Sequence, residues 1–225
     1  MKKRIKLIIC SLFILFAASL KVHAEEGLTV VALGDSTTAG TPAFLSPIEE
    51  PPYGAGDPQS QYAYWMMKEH PEWKVLNRGV NGELSDEILR RFERDVLAAR
   101  PDWVIVLAGV NDLYQGHSVE TIQKNLETLY EKARKAGILV IACSILPYNT
   151  LDEVVKERML EMNRWIKEYA SRHGLVFCDT FHAIEDPFRP VRLKSSPDGL
   201  HPDVEGYRKI GEAVSKVLAQ ALGKS

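Results

Sequence analysis

The sequence predicts an α/β protein, a three-layer α/β/α sandwich built on a central five-stranded parallel sheet. Three observations predict it. Short apolar, β-rich runs recur five times; stretches with helical spacing separate them; and Gly137 and Gly174 stand where helix C-termini need a left-handed residue. Strands that alternate with helices imply right-handed crossovers, and so a parallel sheet covered on both faces.

Residues 1–24 precede this pattern and read as an export signal. Met1 to Lys6 is basic, Leu7 to Leu20 is almost unbroken apolar, and Val22-His23-Ala24 suits a small-residue cleavage site. An uncleaved anchor is the alternative, but the 14-residue apolar run is short beside the about 20 that a membrane span needs. Cys10 lies inside that run and away from the cleavage point, which argues against a lipid anchor on it. The expected product is a secreted or periplasmic chain, residues 25–225, forming one domain with no stable membrane span. Its oligomeric state is open, since nothing in the composition forces a dimer. The net charge of the full chain is −2. Cleavage removes Lys2, Lys3, Arg4, Lys6 and Lys21 and no acidic residue, giving −7. An acidic chain without a concentration of Lys and Arg is a poor nucleic-acid partner.

The first strand is Leu28 to Leu33, and the others follow at 74–77, 103–108, 138–145 and 175–178. Helical spacing covers 85–98, 119–136, 152–173 and 203–222. Tyr62, Tyr64 and Trp65 also fit helix packing, and Glu83 and Asp86 fit the capped first turn of the next helix. Thr41 to Gln61, rich in Pro, Gly and Ser, is an inserted loop; one longer than about 12–15 residues is functional or disordered, so it is either a flap over a site or a plain surface loop. Cys143 and Cys178 each end a strand, and either a disulfide or two separate buried thiols fits them.

Parallel sheets bind ligands at the carboxyl ends of their strands, and three segments meet that demand. Gly34-Asp35-Ser36 follows the first strand on a turn into a helix, which exposes a hydroxyl beside backbone N–H groups. Gly79 follows the second strand and, lacking a side chain, can bring its N–H close. Asn111 follows the third and offers an amide N–H. Near the C-terminus, Asp198-Gly199-Leu200-His201-Pro202 supplies a base and an orienting carboxylate in a loop where neither is committed to packing. Each motif taken singly is also compatible with ordinary turn chemistry. Asp35 and Asp112 read as structural loop residues. His70, His117, His173 and His182 read as surface or capping residues without paired carboxylates, and no Cys/His spacing suggests zinc.

The four segments together, Gly34-Asp35-Ser36, Gly79-Val80-Asn81, Gly109-Val110-Asn111-Asp112 and Asp198-Gly199-Leu200-His201-Pro202, resemble the consensus blocks of the SGNH/GDSL hydrolases, in the same order and over residues 28–211. The resemblance implies a flavodoxin-like SGNH hydrolase fold and a serine esterase working through an acyl-enzyme, without metal or organic cofactor. It implies Ser36 as nucleophile, the Asp198 and His201 pair as acid and base, and Ser36, Gly79 and Asn111 as the oxyanion hole. Thr37 stands where the family motif has leucine. Thr37, Tyr114, Leu146, Pro147 and Leu193 are the expected substrate wall. The expected substrate is a small-molecule, lipid or carbohydrate ester. Short-chain acyl, lysophospholipid and thioester substrates lead, with carbohydrate O-acetyl esters and a non-catalytic binding module as alternatives.

Overall fold

The computed structural model describes residues 27–223, so the expected export segment lies outside the described residues. In chain order the elements begin with β1 (Thr29–Gly34), α1 (Ser36–Ala39), β2 (Phe44–Leu45), β3 (Ala55–Gly56), α2 (Tyr62–Glu69) and β4 (Lys74–Gly79). They continue with α3 (Ser85–Arg90), α4 (Phe92–Asp95), β5 (Trp103–Leu107), α5 (Val110–Tyr114), α6 (Val119–Lys135) and β6 (Leu139–Cys143). The chain closes with α7 (Glu153–His173), β7 (Val176–Cys178), α8 (Thr180–Ile184), β8 (Glu185–Asp186), β9 (Arg189–Leu193) and α9 (Val204–Leu222).

Five strands form one parallel sheet in the order β4-β1-β5-β6-β7. The chain runs outward from β1 on one side and from β5 on the other, so the switch point of the sheet lies between them. The alternation of β1 and β5 decides which helices cover which face. Val31, Leu33, Val104 and Val106 point into a core shared with Ile88, Phe92, Leu126, Tyr130, Met159 and Ile166. Val30, Ala32, Ile105 and Leu107 point the other way, against Tyr62, Met66, Tyr207, Ile210 and Val214. Fully burying a Val, Leu, Ile, Phe or Met side chain contributes about 1.5–3 kcal/mol, and a continuous core covers each face of the sheet.

The long helices begin where side chains satisfy their first N–H groups. Ser118 accepts from Thr121 N–H, Asp152 from Val155 N–H and Asp203 from Gly206 N–H. The stretch expected to be one helix over 85–98 is broken. The α3 helix stops at Arg90 and α4 restarts at Phe92, because Arg91 turns its guanidinium inward onto the sheet edge. The first turn of α3 is capped by Glu87, which accepts from Leu84 N–H. Glu83, expected in that role, instead accepts from Arg91 Nε.

The 41–61 insertion is an ordered structure that carries the β2–β3 hairpin. Ser46 Oγ donates to the Gly79 carbonyl at 2.6 Å, Asn81 N–H donates to Glu49 at 2.8 Å, and Tyr207 OH donates to the Thr41 carbonyl at 2.7 Å. The insertion is therefore pinned to the carboxyl end of β4. Cys143 and Cys178 stand opposite one another in the β6–β7 register, both buried and both free thiols.

Candidate active site

Ser36 opens α1 directly after β1. Asp35 caps that turn: its Oδ1 accepts from Thr37 N–H at 2.9 Å and from the Thr37 hydroxyl at 2.7 Å. The Asp35 carbonyl takes the N–H groups of Thr38 and Ala39, which leaves Ser36 N–H at the orphan first position of the helix. The underside of the turn is held from β4, where Asn77 Nδ2 donates to the Ala39 carbonyl at 3.0 Å.

The Asp198–His201 loop comes to the same place from the far end of the chain. His201 Nε2 lies 2.9 Å from Ser36 Oγ and His201 Nδ1 lies 2.7 Å from Asp198 Oδ2, with His201 only 6% exposed. A carboxylate can only accept, so Nδ1 carries the proton and Nε2 keeps a lone pair facing the serine hydroxyl. Burial alone would raise the Asp198 carboxyl. The N–H groups of His201 and Leu200 and the imidazole bond outweigh it and hold the group at about 2. Asp35 shows the opposite balance. Its complete burial outweighs the Thr37 bonds and pushes it up to about 6, and its Oδ2 has no partner among the described residues. The Asp198 loop is tied to the rest of the fold by Asn149, whose N–H donates to the Gly199 carbonyl at 2.7 Å and whose Oδ1 accepts from Leu193 N–H at 2.9 Å.

Asn111 lies in the first turn of α5, directly after β5. One of its two amide N–H groups donates to the Glu83 carbonyl at 2.9 Å. The same two loops are joined again by Asp112, which is buried and accepts from both Ser85 N–H (2.9 Å) and Ser85 Oγ (2.6 Å).

Gly79 does not fit its expected role. Its N–H donates to Asn77 Oδ1 at 2.9 Å, and a Cβ there would lie 2.0 Å from Ala39 N. It is a glycine so that β4 and α1 can touch. Gly82, three residues on, has a positive φ of 77°, open space around its Cα, and an N–H without a partner among the described residues. It neighbours Glu83, whose carbonyl holds Asn111. The Asn81-Gly82 pair was the signal available in sequence, since such a pair marks a turn with φ > 0, whereas Gly79 ends a strand.

Most of the expected substrate wall is also core. Thr37 is buried with its hydroxyl on Asp35, and Leu146 and Leu193 pack within the α2–α9 layer. Pro147 is buried as well. Leu193 does line a cavity of about 180 Å³ with Ile184 and Pro202, behind the His201 loop and away from Ser36. Tyr114 differs: it is 62% exposed and meets Tyr148 edge-on at 6.1 Å. Two of the four other histidines have carboxylate partners after all, His182 with Asp179 at 2.8 Å and His70 with Glu72 at 3.2 Å, on the surface and with no hydroxyl nucleophile bonded to either ring. Among the described residues no three His, Cys, Asp or Glu side chains stand together as a metal-binding group.

The sequence profile of the GDSL-like Lipase/Acylhydrolase family matches residues 32–209. The chain is 26% identical to the acetylxylan esterase of Geobacillus stearothermophilus over 84% of its own length and 92% of the relative's. It is 22% identical to the thioesterase 1/protease 1/lysophospholipase L1 of Escherichia coli K12, over 91% and 89%. Among solved structures, a G-D-S-L family protein from Desulfitobacterium hafniense superposes with a TM-score of 0.71 at 28% identity, covering 84% of this chain and 98% of that one.

Proposed function

The chain belongs to the GDSL-like lipase/acylhydrolase family and is a hydrolase of ester bonds, and from that premise we propose that it is an exported serine esterase that removes short acyl groups through an acyl-enzyme on Ser36. The observation that carries the proposal is the unbroken chain Asp198–His201–Ser36, with its bonds of 2.7 and 2.9 Å. His201 Nε2 takes the hydroxyl proton as Ser36 Oγ attacks the carbonyl, Asp198 stabilises the imidazolium that forms, and His201 returns the proton to the leaving alkoxide. The Ser36 N–H, the Gly82 N–H and the second Asn111 amide N–H receive the negative charge on the carbonyl oxygen. Water, activated by the same imidazole, then releases the acid.

Two observations bear on the substrate. Four of the five residues expected to form an acyl wall, Thr37, Leu146, Pro147 and Leu193, are buried in the core, which favours a small acyl group over a long one. The exposed Tyr114 ring on the Asn111 helix offers an apolar face to a leaving group. With the acetylxylan esterase relative matched over nearly its whole length, this favours an O-acetylated carbohydrate as a second reading of the substrate, ahead of a lipid.

The test compares the parent with Ser36→Ala on p-nitrophenyl acetate, butyrate and octanoate, and on acetylated xylan with acetate release as readout. The expected result is a parent most active on acetate and a variant at background. Equal, background-level rates for both proteins on every ester would remove the basis of the serine mechanism, and preference for octanoate would overturn the short-acyl assignment.

A further inference from the structure

The carboxyl edge of β1 and β4 is held by one buried cation that the reaction scheme leaves unused. Arg91 sits in the break between α3 and α4 with its side chain 6% exposed. Four of its five N–H donors are engaged. Nη2 donates to the Gly34 carbonyl at 2.7 Å, Nη1 to the Arg78 carbonyl at 2.8 Å and to Asp95 at 2.7 Å, and Nε to Glu83 Oε2 at 2.5 Å.

Two of these bonds end beside pieces of the site. Gly34 lies two residues before Ser36 and accepts again from Val80 N–H at 3.2 Å. Glu83 follows Gly82, and its own carbonyl accepts from Asn111 Nδ2 at 2.9 Å. One rigid planar group therefore bridges the nucleophile strand and the Gly82 loop, and through Glu83 it reaches Asn111. A planar donor fork of this shape reaches two strand-end carbonyls and two carboxylates together, whereas a lysine ammonium is a single point of charge. Burial raises the Glu83 carboxyl, and the Arg91 bond and charge work against that rise. At Asp95 the bonds from Arg94 and Arg91 outweigh burial and hold the carboxyl below its usual range.

We infer that Arg91 is a positioning residue for the reaction: its guanidinium sets the separation between the Ser36 hydroxyl and the Gly82 and Asn111 donors. The inference rests on the serine-esterase reading above. Donors displaced by a fraction of an ångström bind the ground-state carbonyl almost as before but lose the developing oxyanion, so turnover falls while KM holds.

The test uses Arg91→Lys and Glu83→Gln, each alone and combined with Asn111→Ala, on p-nitrophenyl acetate. Rates are expressed per Ser36 site titrated with an organophosphorus probe, with Tm recorded in parallel. Arg91→Lys is expected to lose roughly 10- to 100-fold in kcat with KM within about threefold, and Glu83→Gln roughly 3- to 10-fold. Either change combined with Asn111→Ala should cost clearly less than the product of the two single losses, because both act on the same donors. Arg91→Lys with kcat per site within about twofold of the parent, or losses that multiply in full with Asn111→Ala, would overturn the inference. If Arg91→Lys does not fold, Glu83→Gln, which leaves the cation in place, decides on the same criteria. A parent that neither cleaves esters nor takes up the probe would instead bring down the serine-esterase reading; an active parent with unimpaired variants brings down only the role of Arg91.

Discussion

Two carboxylates lie on either side of the Ser36–His201 pair, and their surroundings drive them in opposite directions. Asp198 accepts backbone N–H groups and is held at about 2, below its ordinary 3.8. Its bonds therefore contribute stability that is present above about pH 4 and is lost as the pH falls toward about 2. Asp35, wholly buried, is raised to about 6. The sign reverses there: the folded state holds the proton more tightly than the unfolded one, so stability declines as the pH rises from about 4 to about 6, and the ionised form is carried at a cost above that. Asp35→Asn keeps an acceptor for Thr37 and removes the charge. Its Tm relative to the parent should accordingly be more favourable at about pH 8 than at about pH 4, read by thermal unfolding in two buffers. An equal difference at both pH values would show that Asp35 does not titrate as a buried group. Ser36, Asp198 and His201 were legible in sequence as candidates because each is a reactive side chain in a segment that follows a strand or precedes a helix. The environment of Asp35 was not, since burial is a property of everything packed around it.

Among the elements, Gly79 is a packing glycine and Gly82 the proposed donor glycine. At Gly79 a Cβ would meet the Ala39 backbone at 2.0 Å, whereas nothing lies within 4 Å of one at Gly82. Gly79→Ala must push α1 from β4, a clash of the kind that costs about 1–3 kcal/mol or more, or a Tm fall of roughly 2–4 °C per kcal/mol in a chain of this size. Gly82→Ala carries only the left-handed backbone penalty of about 1–2 kcal/mol. Calorimetry on the two variants should place the Gly79→Ala transition clearly lower; matching transitions would mean that β4 and α1 are not in the contact described. The helix break at Arg91 belongs to this scale too. Hydrophobic spacing over 85–98 reads as one helix because Ile88, Phe92 and Val96 all face the core. Spacing cannot register that the residue between α3 and α4 has four hydrogen-bond partners beneath it.

Over the whole molecule, the sheet order brings loops from β1, β4 and β5 to a single switch point, and the chain's last loop closes over it. The same order sets Cys143 against Cys178 on neighbouring strands, buried and unpaired. A thiol reagent should leave the folded protein unmodified and, for a chain starting at Glu25, label two cysteines once it is denatured. Intact mass checks this and also places the N-terminus, expected at Glu25. No labelling after denaturation would mean a disulfide, and a third labelled cysteine would mean that Cys10 and the leader are retained. By itself the sequence determined the alternation of the five sheet strands with the long helices, the parallel sheet and the candidate residues Ser36, Asp198 and His201. Side-chain periodicity, caps and turn residues act over a few positions and are written locally. Which glycine keeps its N–H free, which wall residues are core and where Arg91 places its guanidinium were decided only by the tertiary structure. Those outcomes depend on bonds such as Arg91 to Gly34, 57 residues apart, and on close approaches such as Gly79 to Ala39, which exist only after the sheet and its helices have packed.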